Sequence, residues 1–360
     1  MMRWGLLILV LALAMVLGPL IANNPGYIKV VLAGRSFEMT AVGLLLVLTV
    51  TVLALWFVVV LLKKLLRLQH ISVNFLRWRR QRKAQQAFEL GMQAYAKQQW
   101  RLASDYLNRA TADRFMAAEK RMLASYAAFY AGETQLAAEH VAALPAESAN
   151  RWFVEADLML QQGKAAEASN YLAEKVAAQL QDSGLGQLYL YALQQAGQWQ
   201  QLLTLVPQAL QYHWFTKVQW QQQRFKIYPS AISQLSQQQA FSEKSDYWQA
   251  LPAKERKSSA ALAGRAWALA QAGQPEQAEA LLYDALDLDE LPLLWPYLKK
   301  IPLGRSVLKL RKQIQHWLHT HESNGYLYAV LAYLAQQEGE LRQADIAWQK
   351  ARQYQPDLQW

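Results

Sequence analysis

His316, His319 and His321 are the residues whose type and spacing come nearest to a ligand set. His316 and His319 stand three apart, on one face of a helix, where two imidazoles could hold a metal or the iron of a haem. The plainer and commoner reading is that they decorate a helix C-terminus, where the partial negative charge of the last carbonyls favours imidazolium. No partnering Cys, Glu or further His is evident, so no metal site is expected, and haem contact at His316 and His319 stays open. Gly184-Leu185-Gly186 is the nearest approach to a dinucleotide-binding turn, but its third glycine is missing and its surroundings read as helix. There is no phosphate loop ending in Lys-Ser/Thr and no His-Glu-x-x-His. The chain has no cysteine, which excludes disulfides, thiolate metal sites and a cysteine nucleophile together. No enzyme is expected.

The elements that would carry these residues are helical. From Gln85 onward a pattern recurs: an apolar helix face, a small residue, Gly-x-aromatic or a near variant, then Ala and a large apolar residue. The last copy is Tyr328, Leu331, Ala332, Gly339, Leu341, Ala344, Trp348, Ala351, Pro356. Another runs Leu262, Ala266, Leu269, Gly273, Ala278, Leu282, Ala285, and the first is Leu90, Gly91, Gln98, Trp100, Ala103, Leu107, Ala110. Weaker copies centre on Gly132, Gly163 and Gly197. Turn positions 98, 132, 163 and 197 are 34, 31 and 34 apart, and the steps on to Gly273 (76) and Gly339 (66) are close to two periods each. Two degenerate units are therefore expected within 210–250 and 291–322. The period resembles the tetratricopeptide repeat. One such hairpin cannot bury its own face, so neighbours must stack. The expected fold is all-α, with two N-terminal transmembrane helices before a right-handed solenoid of about eight helix pairs over residues 85–360.

In such arrays the first helix of each pair lines one face. Carried through the repeat, that face takes Met92, Tyr126, Asp157, Tyr191, Trp267 and Tyr333, with Tyr95, Phe129, Tyr130, Gln194, Gln195, Gln271, Gln336 and Gln337 nearby. The partner-binding candidates are Met92, Tyr95, Tyr126, Tyr130, Tyr191, Trp267 and Tyr333. An aromatic and glutamine-lined groove suits a peptide segment or a flat apolar ligand. The competing reading is that these rings pack between helices. The Lys and Asn that clamp a C-terminal carboxylate in some tetratricopeptide domains are absent from this face.

The first 62 residues are of another kind. Trp4 to Ala22 and Met39 to Leu62 are apolar runs long enough to cross about 30 Å of hydrocarbon at about 1.5 Å per residue. Residues 1–62 thus form a membrane anchor, with spans about 4–22 and 39–62. The link 23–38 opens on Asn24-Pro25-Gly26 and reads as a short hairpin facing outward. Of the 37 Lys and Arg, eleven lie within residues 1–84, and of the 27 acids only Glu38 does, which leaves 26 of each sign in the remainder. The net charge of +10 therefore belongs to the anchor and its flank, and the soluble part lacks the cation surplus that a nucleic-acid groove needs. The juxtamembrane segment 63–84 carries Lys63, Lys64, Arg67, Arg77, Arg79, Arg80, Arg82 and Lys83, against two cations in the link. This asymmetry puts both termini and the repeat domain in the cytoplasm. The same cations, with Trp78, suit anionic lipid headgroups; fixing topology alone is an equally good account of them.

The architecture resembles the HemY family of proteobacterial inner-membrane proteins. The residues that carry the likeness are Gly18-Pro19-Leu20-Ile21-Ala22, Asn24-Pro25-Gly26-Tyr27 and Arg77-Trp78-Arg79-Arg80, with tetratricopeptide-like repeats following to the end. The resemblance implies a multi-pass protein of the bacterial inner membrane, associated with late haem biosynthesis and porphyrin metabolism through protein contacts. An unrelated flavin-dependent protoporphyrinogen oxidase has carried the same name, and its nucleotide-binding signature is absent here. The expected function is a non-catalytic scaffold whose partners are proteins of haem or porphyrin metabolism or other membrane proteins. Two alternatives stand beside it: a scaffold for envelope assembly or quality control, and a haem or porphyrin carrier.

Overall fold

A computed structural model describes residues 26–32, 35–112, 115–238, 242, 244–305 and 307–360. The chain divides into two units, residues 1–86 and 87–360. The first expected span, 4–22, lies outside the described residues.

In the first unit β1 (Tyr27–Leu32) and β2 (Arg35–Thr40) pair antiparallel, Tyr27 opposite Thr40 and Leu32 opposite Arg35. Lys29 faces Glu38 across the ladder, with Nζ 2.9 Å from the carboxylate. Both are exposed, so water screens the pair and it contributes at most about 1 kcal/mol. The hairpin runs further than the sequence pattern indicates. Met39 pairs with Ile28 inside the sheet, so the following helix, α1, begins at Ala41 instead of Met39. The cap sets this boundary: Thr40 Oγ1 accepts the Gly43 N–H at 3.3 Å.

Helix α1 spans Ala41–Ala96, and its stretch Val47–Lys64 is long and apolar enough to cross a membrane. It is the one such helix among the described residues. None of that stretch is buried against protein; Leu55 and Phe57 are 62% and 63% exposed. A helix that is apolar all round with no protein cover is stable where the solvent is hydrocarbon and its backbone bonds are satisfied internally. Helix α1 has the properties of a membrane anchor.

The second unit is built of helices joined by short turns: α2 (Trp100–Ala110), α3 (Ala117–Tyr130), α4 (Thr134–Ala142), α5 (Ala149–Gln161), α6 (Ala165–Ala178), α7 (Ser183–Gln195) and α8 (Trp199–Gln211) come first. The long α9 (Lys217–Gln238) and the short α10 (Asp246–Ala250) and α11 (Ala253–Arg256) follow. Then come α12 (Ser259–Gln271), α13 (Pro275–Ala285), α14 (Leu291–Leu298), α15 (Leu308–Thr320), α16 (Gly325–Glu338) and α17 (Leu341–Tyr354). Most of these helices pack on the next one in sequence, and first helices also meet across pairs, α3 with α5 and α5 with α7. This is solenoid-like packing. The small residues of the repeat make it possible: Ala103, Ala156, Ala168, Ala266, Ala278, Ala332 and Ala351 are all at 0% exposure.

The recurring turn is one motif. At 98, 132, 163, 197, 273 and 339 the residue has left-handed backbone, and the next N–H reaches back to the carbonyl five residues earlier. Glu133 N–H bonds Ala128 O at 2.8 Å, Lys164 bonds Met159 at 2.9 Å and Gln274 bonds Leu269 at 2.9 Å. This arrangement satisfies carbonyls that the helix end leaves open, and glycine enters it without a Cβ penalty. Gln98 does so with a side chain, at φ 57°. A seventh copy, at His213 (φ 53°), has Trp214 N–H on Ala209 O at 3.0 Å. Lacking glycine, it leaves no mark in the sequence pattern.

The two stretches without a regular repeat hold the irregular elements. Helix α9 lies along α12, where Gly264 permits the approach: a Cβ there would meet the Tyr228 carbonyl at 2.8 Å. Tyr228 Oη donates to Glu255 at 3.0 Å. Between α13 and α15, buried Glu279 accepts the backbone N–H of Lys309 at 2.6 Å and of Leu310 at 3.3 Å. A carboxylate from one helix thus caps the next.

Candidate partner-binding face

The residues expected on the first-helix face fall into three groups. Tyr95, Tyr126, Tyr130 and Asp157 come together in the first group, from α1, α3 and α5. Tyr95 meets Trp100 edge-on (5.2 Å between centroids, 81°), Trp100 leans on Tyr130 (4.8 Å, 33°), and Phe129 meets Tyr130 at 5.5 Å and 74°. Tyr130 is 40% exposed and Met92, on the turn of α1 before Tyr95, is 39% exposed. The Tyr126 hydroxyl oxygen is sealed from solvent and has no hydrogen-bond partner of ordinary geometry. Burial, and then the Asp157 carboxylate beside it, push the Tyr126 phenol far above its usual range. Burial, then Tyr130 and Asp157, raise Tyr95 in the same direction.

The second group surrounds Tyr191. A cleft of about 400 Å³ is lined by Phe153 of α5, Gln187, Leu188, Tyr191 and Gln194 of α7, Phe215, and Gln223 and Ile227 of α9. Tyr191 is 48% exposed at its mouth. The first helices of three successive pairs therefore share one wall of aromatic rings and amides. Repeat reasoning found Tyr191 and Gln194 but missed Phe153, Phe215 and Gln223. The last two lie in and after the His213 turn, where the period is lost. Phe153 had a signal, since it lies one helical turn before Asp157.

The third group is core. Tyr333 is 2% exposed and its hydroxyl donates to the Ile301 carbonyl. It is corrected from a groove residue to an interior one, because the loop after α14 folds over it. Trp267 is half-buried and packs against the main hydrophobic cluster. Gly184 and Gly186, the residues resembling a dinucleotide turn, lie in helix α7, whose start Asp182 caps by accepting the Leu185 N–H at 3.0 Å.

His316 and His319 are both exposed on α15. His319 borders a cleft with Thr320, His321, Glu322, Asn324, Tyr326 and Tyr354, a mainly polar lining that does not include His316. The two histidines therefore do not share this cleft. No cluster of three or more metal-ligating side chains occurs among the described residues. Of the basic residues, Lys63, Lys64, Arg79, Arg80, Arg82 and Lys83 are exposed on α1, with the Arg82 guanidinium 3.7 Å from the Trp78 ring centroid. The side chains of Arg67 and Arg77 lie outside the described ones.

Residues 26–132 match the family model described as HemY protein N-terminus. The match covers less than a third of the chain, its N-terminal part. The HemY segment takes in the hairpin, α1, and the rings Tyr95, Trp100, Tyr126, Phe129 and Tyr130, while Asp157 and the Tyr191 cleft lie beyond it. No curated protein sequence matches the chain. Among solved structures it is similar to an IFIT1 monomeric mutant (L457E/L464E) with Gppp-AAAA, at 12% identity and TM-score 0.27, over 74% of this chain and 63% of that one. It is also similar to the human IFIT1 dimer with PPP-AAAA, at 13% identity and TM-score 0.26, over 75% of this chain and 64% of that one. The chain thus spans less than two thirds of the length of either.

Proposed function

We propose that the protein is a non-catalytic scaffold, held to the bacterial inner membrane by its N-terminal segment, that binds a partner polypeptide along the first-helix face of its repeats. The observation that carries this reading is the cleft shared by α5, α7 and α9: about 400 Å³, walled by Phe153, Tyr191 and Phe215, with Gln187, Gln194 and Gln223 supplying amides. Its size is that of a site for one or two side chains, and amides between aromatic walls can pair with a peptide backbone while the rings hold its side chains. The partners are proteins of haem and porphyrin metabolism, as the family resemblance implies. The anchor crosses the membrane twice and leaves both termini and the repeats in the cytoplasm, a reading supported by the eight cations from Lys63 to Lys83 against two in the hairpin link.

The test is photo-crosslinking in intact cells, with a photoreactive residue at Tyr191 or, on the opposite helix of another pair, at exposed Tyr283. Crosslinks to proteins of porphyrin metabolism from position 191 and not from 283 are expected. Equal yields from both positions, or only envelope-assembly proteins at 191, would overturn the assignment. A C-terminal alkaline phosphatase fusion should be inactive, and activity would refute the orientation.

A further inference from the structure

Asp157 is a half-buried carboxylate with no ion-pairing cation among the described residues, and the polar group beside it is the Tyr126 phenol. Several carboxylates elsewhere in the second unit pair with cations, Glu290 with Arg224, Glu338 with Arg311, and Glu155 with Arg151 at 2.8 Å, while Glu255 and Glu279 accept from Tyr228 and from backbone N–H groups. A carboxylate withdrawn from water without a cation is costly, and a cost left standing at a surface is one that a ligand can relieve.

The neighbourhood is aromatic. The ring chain Tyr95–Trp100–Tyr130–Phe129 contains two edge-on contacts, at 81° and 74°, and in such contacts the ring that offers its edge keeps both faces uncovered by its partner. Those faces carry the negative end of the ring quadrupole. The chain does place its own cations on rings, Lys175 Nζ at 4.9 Å from Trp152 and Lys120 Nζ at 5.8 Å from Phe88. Among the described residues none lies over these four.

We propose that Tyr95, Trp100, Tyr126, Tyr130 and Asp157 form a cation-accepting box, occupied by a lysine or arginine side chain of the partner polypeptide. The proposal rests on the scaffold reading above and sharpens it. Electron-rich faces and a carboxylate without a paired cation favour an organic cation over an apolar or anionic group, and the long stem of Lys or Arg packs on the same rings.

Phe153 then fixes the spacing of the ligand. It stands four residues before Asp157 on α5, roughly 6 Å along the same helix face, and it opens the cleft toward Tyr191. In an extended peptide, side chains two residues apart share a side and are separated by roughly 6.6 Å. The occupant is therefore a segment with a basic residue two positions from a large apolar one.

The test pans a random 12-residue peptide library on phage against the full chain in detergent micelles. Wild type should enrich Lys or Arg two positions from an aromatic or aliphatic residue. Asp157→Asn should lose the basic preference and keep the apolar one. Asp157→Lys should instead select Glu or Asp, which also shows that the substituted protein is folded. For one selected peptide, replacing its basic residue with norleucine should weaken binding to wild type about tenfold and to Asp157→Asn less than about twofold. Apolar peptides without a basic residue, or a basic preference unchanged in Asp157→Asn, would overturn the box and leave the scaffold reading intact. Enrichment of nothing by wild type would overturn both.

Discussion

Gly186 lies directly under the indole of Trp214: a Cβ at that glycine would stand 2.2 Å from Trp214 Cδ2. Trp214 is 1% exposed and its Nε1 donates to the Leu180 carbonyl at 2.7 Å, so the ring is pinned and cannot move aside. Gly186→Ala should therefore lower stability by about 1–3 kcal/mol, the usual cost of overpacking a closed interior. Gly184 is different, since a Cβ there would meet only the Asp182 carboxylate at 3.2 Å and then Phe153 at 3.9 Å. Gly184→Ala should be neutral within about 0.5 kcal/mol. Thermal unfolding of the full chain in detergent distinguishes the two; equal losses would mean that the glycine pair answers to something other than Trp214.

Much of this was legible in the sequence because it follows from local physics. A left-handed helix end favours glycine, and the steps of 31 and 34 residues from Gly132 to Gly163 to Gly197 are visible without coordinates. The apolar stretch within Met39–Leu62 is equally plain. Tyr95, Tyr126, Tyr130 and Asp157 followed from carrying the repeat frame along the chain. Tyr333 did not, because its burial depends on where the Ile301 loop folds, a long-range fact. The His213 turn was hidden for a related reason: His takes the left-handed conformation against its preference, held by the buried Trp214 that follows it. Phe215 and Gln223, which line one side of the cleft, stayed out of reach once that turn was missed.

The two turns built without glycine store strain that can be released. Left-handed backbone costs a residue with a side chain roughly 1–2 kcal/mol relative to glycine. Gln98→Gly is expected to leave stability unchanged or raise it by up to about 1 kcal/mol. Gly273→Ala, where a Cβ would meet nothing within 4 Å but φ is 78°, should lose about 1 kcal/mol through conformation alone. Paired denaturation curves decide it: a stabilising Gly273→Ala would contradict the turn geometry.

His140, 7% exposed on α4, couples stability to pH. Its ring is held below the ordinary imidazole value by burial, and then by the nearby Arg121, against a smaller opposing pull from Glu139. Its Nε2 is buried without a partner. The unfolded chain therefore binds the proton more readily than the folded one. Stability is fully present above the unfolded imidazole value of about 6.5 and falls as pH drops from there toward the folded value. Melting temperatures at pH 7.5 and 5.5 should differ more for wild type than for His140→Gln. An identical pH slope in the two proteins would remove His140 as the cause.

The cations along α1 must divide into two groups by distance. Lys63 and Lys83 belong to one helix, and twenty residues at 1.5 Å each separate them by about 30 Å. Headgroups extend only about 5–8 Å beyond the hydrocarbon, and salt screens exposed charges beyond about 8 Å. With the apolar stretch in the membrane and α1 rising from it, Lys63 and Lys64 lie within the headgroup layer while Arg79, Arg80, Arg82 and Lys83 lie beyond it. Substituting Lys63 and Lys64 together with Gln should therefore weaken the orientation preference read by a C-terminal reporter. Substituting the four distal residues should change it little. Depth can be measured directly with nitroxide labels at 64 and 80 in vesicles containing anionic lipid, against a water-soluble relaxation agent. Position 80 should be fully accessible and position 64 partly shielded. Equal shielding at both would mean that this stretch of α1 lies along the membrane surface and that all these cations meet lipid.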